Sequence, residues 1–295
     1  MINAHTELYG IIGNPVRHSL SPIIHNGAFR RMGLNAVYLA FEVKDLREAM
    51  SGIRELGVRG LSVTIPFKTE ILPYLDCIED VAGKIRAVNT LTVKAGKLVG
   101  YNTDCCGALE ALEEKTDLRG KKVILLGAGG AARAIGFGLK ERGCRVAIFN
   151  RSPHRAELLA EELGCEHHPL SSFSEMDGNI LINATSVGMH PRDGESPVPK
   201  EVLREGMVVM DIVYRPLKTR LLQEAQKQGC LTIDGLEMLA RQGAGQLDIW
   251  TEGKHEIGRI KEDLRKVLEA ETVLKRREPI VLAHSLADTK TMERC

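Results

Sequence analysis

Apolar residues along the chain fall into short runs that alternate with stretches of helical spacing. Leu8 to Gly13, Val37 to Val43 and Gly60 to Thr64 read as strands, with Pro22 to Met32 and Asp45 to Leu56 as the helices between them. Such alternation predicts a parallel α/β sheet. Ser21 ahead of Pro22 predicts a capped helix start, and Gly33 predicts its stop. Thr90 to Val93 and Leu98 to Tyr101 flank Lys94-Ala95-Gly96-Lys97, the pattern of a hairpin, and Asp104 stands just before a helical stretch from Cys105 to Lys115. A polar segment from Asp117 to Lys122 leads into a second alternation that runs from Val123 to about Asp234. Leu236 to Trp250 and Ile257 to Ala270 again have helical spacing, and from Glu271 the pattern dissolves. The expected organisation is an α/β unit over residues 1–104, a doubly wound unit over 105–245, a helix over 246–270 returning to the first unit, and an accessory or disordered tail over 271–295.

Composition narrows the function. In 295 residues there are 40 Lys and Arg against 39 Asp and Glu, a net charge of +1, with 43% apolar content. That balance is typical of a globular protein and gives no overall pull toward nucleic acid or an anionic membrane. At 4% aromatic content the chain has too few rings for rows of base-stacking platforms. The longest apolar stretch, Val123 to Ala132, is broken by glycines and falls well short of a membrane span. Met1 to Gly10 has neither a basic flank nor an apolar core, which argues against an export signal. Seven cysteines without a C-x-x-C pair fit a reducing, cytoplasmic setting.

Val123 to Leu126 is a buried-strand run followed at once by Gly127-Ala128-Gly129-Gly130-Ala131-Ala132, then a helix to Arg142 and another strand from Arg145 to Asn150. This is the context that gives a glycine pattern the meaning of a dinucleotide fingerprint. Gly127 permits the tight turn, Gly129 lets the backbone approach a pyrophosphate, and the helix amino end supplies N–H donors. Where sites for NAD usually carry Asp or Glu at the end of the second strand, this chain has Asn150-Arg151-Ser152-Pro153-His154-Arg155. A carboxylate would repel a 2′-phosphate, whereas Arg151 and Arg155 can grip one, so the expected cofactor is NADP.

The first unit holds three polar clusters at strand and helix ends, where ligands of α/β proteins sit. They are Gly13 to Pro22 with His25-Asn26, then Gly60 to Lys68, then Ala87 to Thr90 with Gly100 to Asp104. Ser19, Ser21, Ser62, Thr64 and Asn89 offer neutral donors and acceptors suited to a polyhydroxylated small molecule. Lys68 and Asp104 offer a proton donor and its partner.

These stretches closely resemble the shikimate dehydrogenase family, from the amino terminus to about Ala270. The family's G-N-P-x-x-H-S-x-S-P-x-x-H-N stretch stands from Gly13 to Asn26, V-T-I-P-x-K from Val63 to Lys68, A-V-N-T from Ala87, N-T-D from Asn102 and G-A-G-G-A from Gly127. The resemblance implies that Ser19, Ser21, Thr64, Asn89, Asp104 and Gln242 bind the hydroxyls and carboxylate of shikimate, with Tyr214 nearby. It implies Lys68 as catalytic acid or base, and Asp80, Thr185, Ile212, Gly235 and Met238 around the nicotinamide and ribose. The implied reaction is NADPH-dependent reduction of 3-dehydroshikimate to shikimate on the route to aromatic amino acids. Ser62 departs from the asparagine that many members carry, with a side chain too short for the same direct reach. Whether Lys68 supplies the proton or acts by charge and orientation is left open by the sequence, as is the choice between monomer and homodimer. Two rival readings are a quinate/shikimate dehydrogenase, against which the paired arginines and the seryl pair speak, and a non-catalytic NADP-binding protein, against which Lys68 and Asp104 speak.

Other features are read more plainly. His167 and His168 are expected at the surface and no metal site is expected. His18 reads as an orienting or capping residue, Met189 and Met238 as adaptable packing that can reach the nicotinamide, and Cys105 and Cys106 as non-catalytic.

Overall fold

The computed structural model of the chain describes residues 2–256, 258–262 and 264–268, and the alternation resolves there into two six-stranded sheets. The first is built from β1 (Glu7–Gly13), β2 (Ala36–Glu42), β3 (Gly60–Val63), β4 (Cys77–Ile78), β5 (Thr90–Lys94) and β6 (Lys97–Tyr101), in the order β2-β1-β3-β5-β6-β4. Helices α1 (Ser21–Arg31), α2 (Leu46–Glu55) and α3 (Asp80–Ile85) connect them. This sheet is mixed rather than parallel throughout. β1 pairs parallel with β2 and β3, but β5 runs antiparallel to β3 and to β6. The hairpin accounts for the second of these pairings: its central residues Ala95 and Gly96 have φ of 48° and 76° and reverse the chain in two residues.

Asp45 caps α2 by accepting from the Glu48 N–H at 3.1 Å. Ser21, in contrast, is the first residue of α1 and not its cap. Leu20 already has a helical backbone, so the turn starts earlier, and Ser19 Oγ accepts from the Ser21 N–H at 3.1 Å.

The second sheet comprises β7 (Lys122–Leu126), β8 (Arg145–Asn150), β9 (Glu166–Pro169), β10 (Ile180–Asn183), β11 (Val208–Asp211) and β12 (Leu231–Ile233). Its order, β12-β11-β10-β7-β8-β9, is parallel at every pairing and is the doubly wound dinucleotide-binding arrangement. The order reverses between β7 and β10, so the glycine loop between β7 and α5 (Gly130–Glu141) opens at the switch point. α6 (Pro153–Leu163) and α7 (Arg220–Lys227) complete the layers.

Two helices link the sheets. α4 (Asp104–Glu113) starts beside the first sheet and packs Cys105, Leu109 and Leu112 into the core of the second. α8 (Gly235–Trp250) returns: Met238 lies in the second core, whereas Leu239, Leu247 and Trp250 pack with Tyr9, Phe29 and Tyr38 of the first. Trp250 Nε1 donates to the Leu91 carbonyl at 2.8 Å. Helical residues Ile260, Leu264 and Leu268 join that same core. α4 and α8 lie so close that a Cβ on Gly107 would stand 2.9 Å from the Gln242 backbone nitrogen. This crossing brings the start of α4 against the middle of α8. The expected tail, 271–295, lies outside the described residues.

Candidate active site

The glycine loop and the first sheet meet at Lys68. An added Cβ on Gly130 would stand 2.9 Å from Lys68 Cβ and 3.1 Å from its Cδ, so the lysine stem lies over the loop that opens α5. Its Nζ donates to Asp104 Oδ2 at 2.5 Å, and the two side chains are only 15% and 6% exposed. A charge pair taken this far from water persists only where further hydrogen bonds hold it. Asn89 supplies one, with Nδ2 donating to Asp104 Oδ1 at 2.9 Å. Asp104 heads its helix but does not cap it. Asn102 Oδ1 accepts from the N–H groups of Asp104 and Cys105, which leaves both Asp104 oxygens for Lys68 and Asn89.

Of the residues expected to hold substrate, Asn89 bonds to this pair directly and Gln242 reaches it through Asn89. Gln242, on α8, has Oε1 3.4 Å from Asn89 Nδ2 and donates to the Leu239 carbonyl at 3.1 Å. Thr64 follows β3 and hands its N–H to the Ile12 carbonyl at 3.0 Å. Ser19 and the Leu20 backbone hydrogen bond to the Tyr214 hydroxyl, so a residue from the second sheet's side reaches the seryl pair, and burial pushes that phenol's pKa up. Ser21 is buried against the Tyr38 hydroxyl. Ser62 is only 4% exposed, and both its capacities are spent inside the protein: it accepts from the Tyr38 hydroxyl at 2.6 Å and donates to Gln246 at 2.9 Å.

The cofactor candidates separate into groups. Gly127, at φ 113°, makes the turn, and Thr185 sits against it, 3.2 Å from where a Cβ would stand. Ala128, Gly129, Gly130 and Ala131 carry the chain into α5, whose first-turn N–H groups face the switch point. Ile212 and Gly235 are neighbours, the glycine leaving room for the Ile212 and Val213 carbonyls, and Met238 follows one turn on in the core. At the end of β8 the Asn150 carboxamide donates to the Ser152 carbonyl at 3.0 Å, shaping the entry to α6. Arg151 and Arg155 are exposed there and form no ion pair among the described residues. A cavity of about 330 Å³, lined by Arg151, Pro169, Leu170, Ser171, Phe173 and Pro197, opens at the carboxyl ends of β8 and β9. Asp80 is exposed in the first turn of α3.

His168 departs from expectation: it is 26% exposed, stacks on Phe149 at 4.9 Å and pairs with Glu175 at 2.5 Å, because β9 lays it beside β8. His18 is exposed. Burial pushes the Cys105 thiol up to about 12, which disfavours thiolate chemistry.

Several residues here had no part in the sequence reading. Asn183 and Asp211 end buried apolar strands, a signal that polar residues at strand carboxyl ends can carry. Asn183 Oδ1 accepts from the Thr185 N–H and hydroxyl at 3.1 and 2.6 Å, and its Nδ2 donates to Asp211 at 3.0 Å. Asp211 also accepts from the Val213 N–H at 3.0 Å and the Thr219 hydroxyl at 2.6 Å. Burial outweighs those bonds and raises its carboxyl from 3.8 to about 6. A folded-state value above the unfolded one means stability that is complete below pH 3.8 and lost as pH rises through about 6. His25 works in the opposite sense. Burial holds it at about 3 instead of 6.5, so its contribution is present above 6.5 and lost as pH falls toward 3. Comparing Asp211→Asn with the unsubstituted chain cancels His25. In urea unfolding the unsubstituted chain is expected to lose about 3 kcal/mol relative to the variant across the Asp211 window, at ~1.4 kcal/mol per pH unit. Parallel stability curves from pH 4 to pH 7 would contradict this.

A doubly wound sheet with an arginine-marked nucleotide end, facing a buried lysine–carboxylate pair on a second α/β unit, defines a pyridine-nucleotide-dependent oxidoreductase. Comparison with known proteins narrows the class. Residues 11–91 match the shikimate dehydrogenase substrate binding domain and residues 110–238 match the shikimate / quinate 5-dehydrogenase domain. The shikimate dehydrogenase (NADP(+)) of Thermococcus kodakarensis is 48% identical over 265 residues, covering 88% of this chain and 96% of that protein. A crystal structure of a shikimate dehydrogenase in complex with NADP+ superposes with a TM-score of 0.84 at 44% identity, over 91% of this chain and 98% of that one. The Thermus thermophilus shikimate 5-dehydrogenase in complex with NADP(H) and shikimate gives 0.80 at 39% identity, over 89% and 100%. The chain belongs to the shikimate dehydrogenase family.

Proposed function

We infer that this protein catalyses the reversible NADPH-dependent reduction of 3-dehydroshikimate to shikimate, and so serves the biosynthesis of chorismate and the aromatic amino acids. The observation that carries the reading is the Lys68–Asp104 pair lying directly over Gly130 of the nucleotide loop. Proton source and nucleotide would thereby act on the same small volume. NADPH, when bound, supplies the hydride. Its phosphates suit the N–H groups at the start of α5, and the free guanidinium groups of Arg151 and Arg155 suit a 2′-phosphate. The cavity beside Arg151 suits the adenosine end.

On the substrate side Ser19, Ser21, Thr64, Asn89 and Gln242 would orient the hydroxyls and carboxylate, with Tyr214 closing over them. Negative charge grows on the carbonyl oxygen as the carbon is reduced. Lys68 meets it with an ammonium and passes one proton to it, so that ketone, hydride and proton become the alcohol. Asp104 holds the ammonium in line, and solvent returns the proton to Lys68. Residues 1–104 would then be the substrate unit and 105–245 the nucleotide unit, with the rest of α8 and the helical residues Ile260, Leu264 and Leu268 bracing the first, as Leu239 of α8 already does.

The six cysteines among the described residues are all free, which supports a cytoplasmic setting. No helix among the described residues is long and apolar enough to cross a membrane. A monomer or a homodimer would suffice, since the groups named all lie on one chain.

A steady-state assay of shikimate and quinate, each with NADP and with NAD, tests the reading. Shikimate with NADP is expected to give the highest kcat/KM. A preference for quinate with NAD would point to a quinate dehydrogenase, and tight NADP binding without turnover to a non-catalytic relative.

A further inference from the structure

Behind the substrate residues lies a buried chain of hydrogen bonds whose direction can be worked out atom by atom. It starts at Gln246, one turn beyond Gln242 on α8 and 1% exposed. Gln246 Nε2 stands 3.2 Å from the Asn89 carbonyl and 3.1 Å from Thr90 Oγ1. A backbone carbonyl only accepts, so the amide end of Gln246 must face Asn89 and its oxygen must face the other way. That oxygen accepts from Ser62 Oγ at 2.9 Å and lies 3.1 Å from His25 Nε2. His25, uncharged in its buried site, therefore carries its proton on Nε2. Its Nδ1 has no polar partner among the described residues, and its ring stacks on Tyr38 at 4.4 Å.

The direction carries on toward the lysine. Thr90 Oγ1, accepting from Gln246, gives its own proton to Asn89 Oδ1 at 2.7 Å. Asn89 Oδ1 also accepts from the Thr103 N–H at 2.8 Å, a group that only donates. The Asn89 amide cannot flip without placing two donors against each other, so its Nδ2 is held on Asp104 Oδ1. Asp104 Oδ2 is thereby left for Lys68.

We propose that Gln246 is a positioning residue for the reduction: through Thr90 and Asn89 it fixes the Asp104 carboxylate, and so aims the Lys68 ammonium at the substrate carbonyl. Ser62 and Tyr38 brace Gln246 from behind, which gives Ser62 an internal task. The inference rests on the activity proposed above. It differs from a purely structural role because a loosened Asn89 leaves the fold standing while Lys68 loses its bearing on the reacting oxygen. Misplacement of this kind slows the chemical step more than it weakens binding.

The test is single-turnover oxidation of NADPH by 3-dehydroshikimate, in H2O and in D2O. Gln246→Met keeps the volume and removes every hydrogen bond, and Thr90→Val cuts the next link. Leu247→Ala, in the same helix and buried in the apolar core, serves as a control for lost stability. Gln246→Met and Thr90→Val are expected to slow the step about tenfold and to raise its solvent isotope effect, with NADPH affinity within about twofold of the unsubstituted protein. Leu247→Ala is expected to lower Tm and leave the isotope effect unchanged. Either link variant alone reads the chain if the other fails to fold. A folded Gln246→Met or Thr90→Val with unaltered rate and isotope effect overturns the proposal. A larger isotope effect in Leu247→Ala would also overturn it, since general loosening would then suffice. Absence of turnover in the unsubstituted protein would instead overturn the activity on which the inference rests.

Discussion

Lys68→Met is expected to lower turnover by about 10²–10⁴, the usual worth of a positioned proton donor, while NADPH binds as before. Methionine keeps an unbranched apolar stem over Gly130, so the nucleotide loop retains its neighbour and only the ammonium disappears. What is lost is needed late: the charge on the carbonyl oxygen develops as the hydride arrives, and water offers no positioned cation in its place. The effect belongs in kcat, because a group that acts mainly in the transition state adds little to ground-state binding. Removing one partner of a buried pair also leaves the other uncompensated, and Asp104, 6% exposed at its side chain, then keeps only Asn89 among the described residues. Some fall in Tm is therefore expected, and rates are to be compared at temperatures where circular dichroism shows both proteins fully folded. Stopped-flow NADPH oxidation with saturating 3-dehydroshikimate reads the outcome. A loss smaller than about tenfold would remove Lys68 from the proton chemistry and leave it a binding role.

Much of this site was legible because its parts have sequence signatures of a local kind. The glycine loop is marked by the strand before it and the helix after it, and the hairpin by Ala95-Gly96, since both features depend on backbone conformations within a few residues. Lys68 and Asp104 were legible only through their motifs, because nothing local says that a strand end and a helix start 36 residues apart will meet at 2.5 Å. What brings them together is the pairing of β3 with β5 and of β5 with β6.

The misread features share a cause. Ser21 has the composition of a cap, but the turn begins at Leu20. His168 has the composition of a surface residue, but lies beside Phe149 once β9 joins β8. Gln246 escaped altogether, and Thr90 and Thr103 stood inside their motifs without a role. A neutral polar network has neither a hydrophobic period nor a charge pattern, and only the packing of α8 on the first sheet reveals that each of its donors finds an acceptor. The short β4 and α3 likewise fall below the length at which periodicity is readable.

The second large effect is expected in cofactor choice. Replacing Arg151 and Arg155 together by alanine should cut the preference for NADP over NAD by at least about 100-fold, one decade or more for each charge-assisted hydrogen bond removed. Asn150 is the first reason. A neutral carboxamide ends β8 where a carboxylate would accept from the ribose hydroxyls of NAD, and its bond to the Ser152 carbonyl sets the turn that points the next residues outward. Both guanidinium groups are exposed and without carboxylate partners among the described residues, so a phosphate has no protein anion to displace. Exposure also limits the gain, because solvent and salt screen it, and the NADP preference of the unsubstituted protein should therefore shrink as ionic strength rises. In the double variant that salt dependence should be nearly absent. kcat with saturating NADP should change little, since neither arginine touches the reacting atoms, and KM for shikimate should hold. The converse variant, Asn150→Asp, adds a charge that repels a 2′-phosphate and should move the ratio the same way with both arginines present. Ratios of kcat/KM for the two nucleotides, measured at low and high salt, decide it. An unchanged ratio in the double alanine variant would mean that the discrimination lies elsewhere in the nucleotide cleft.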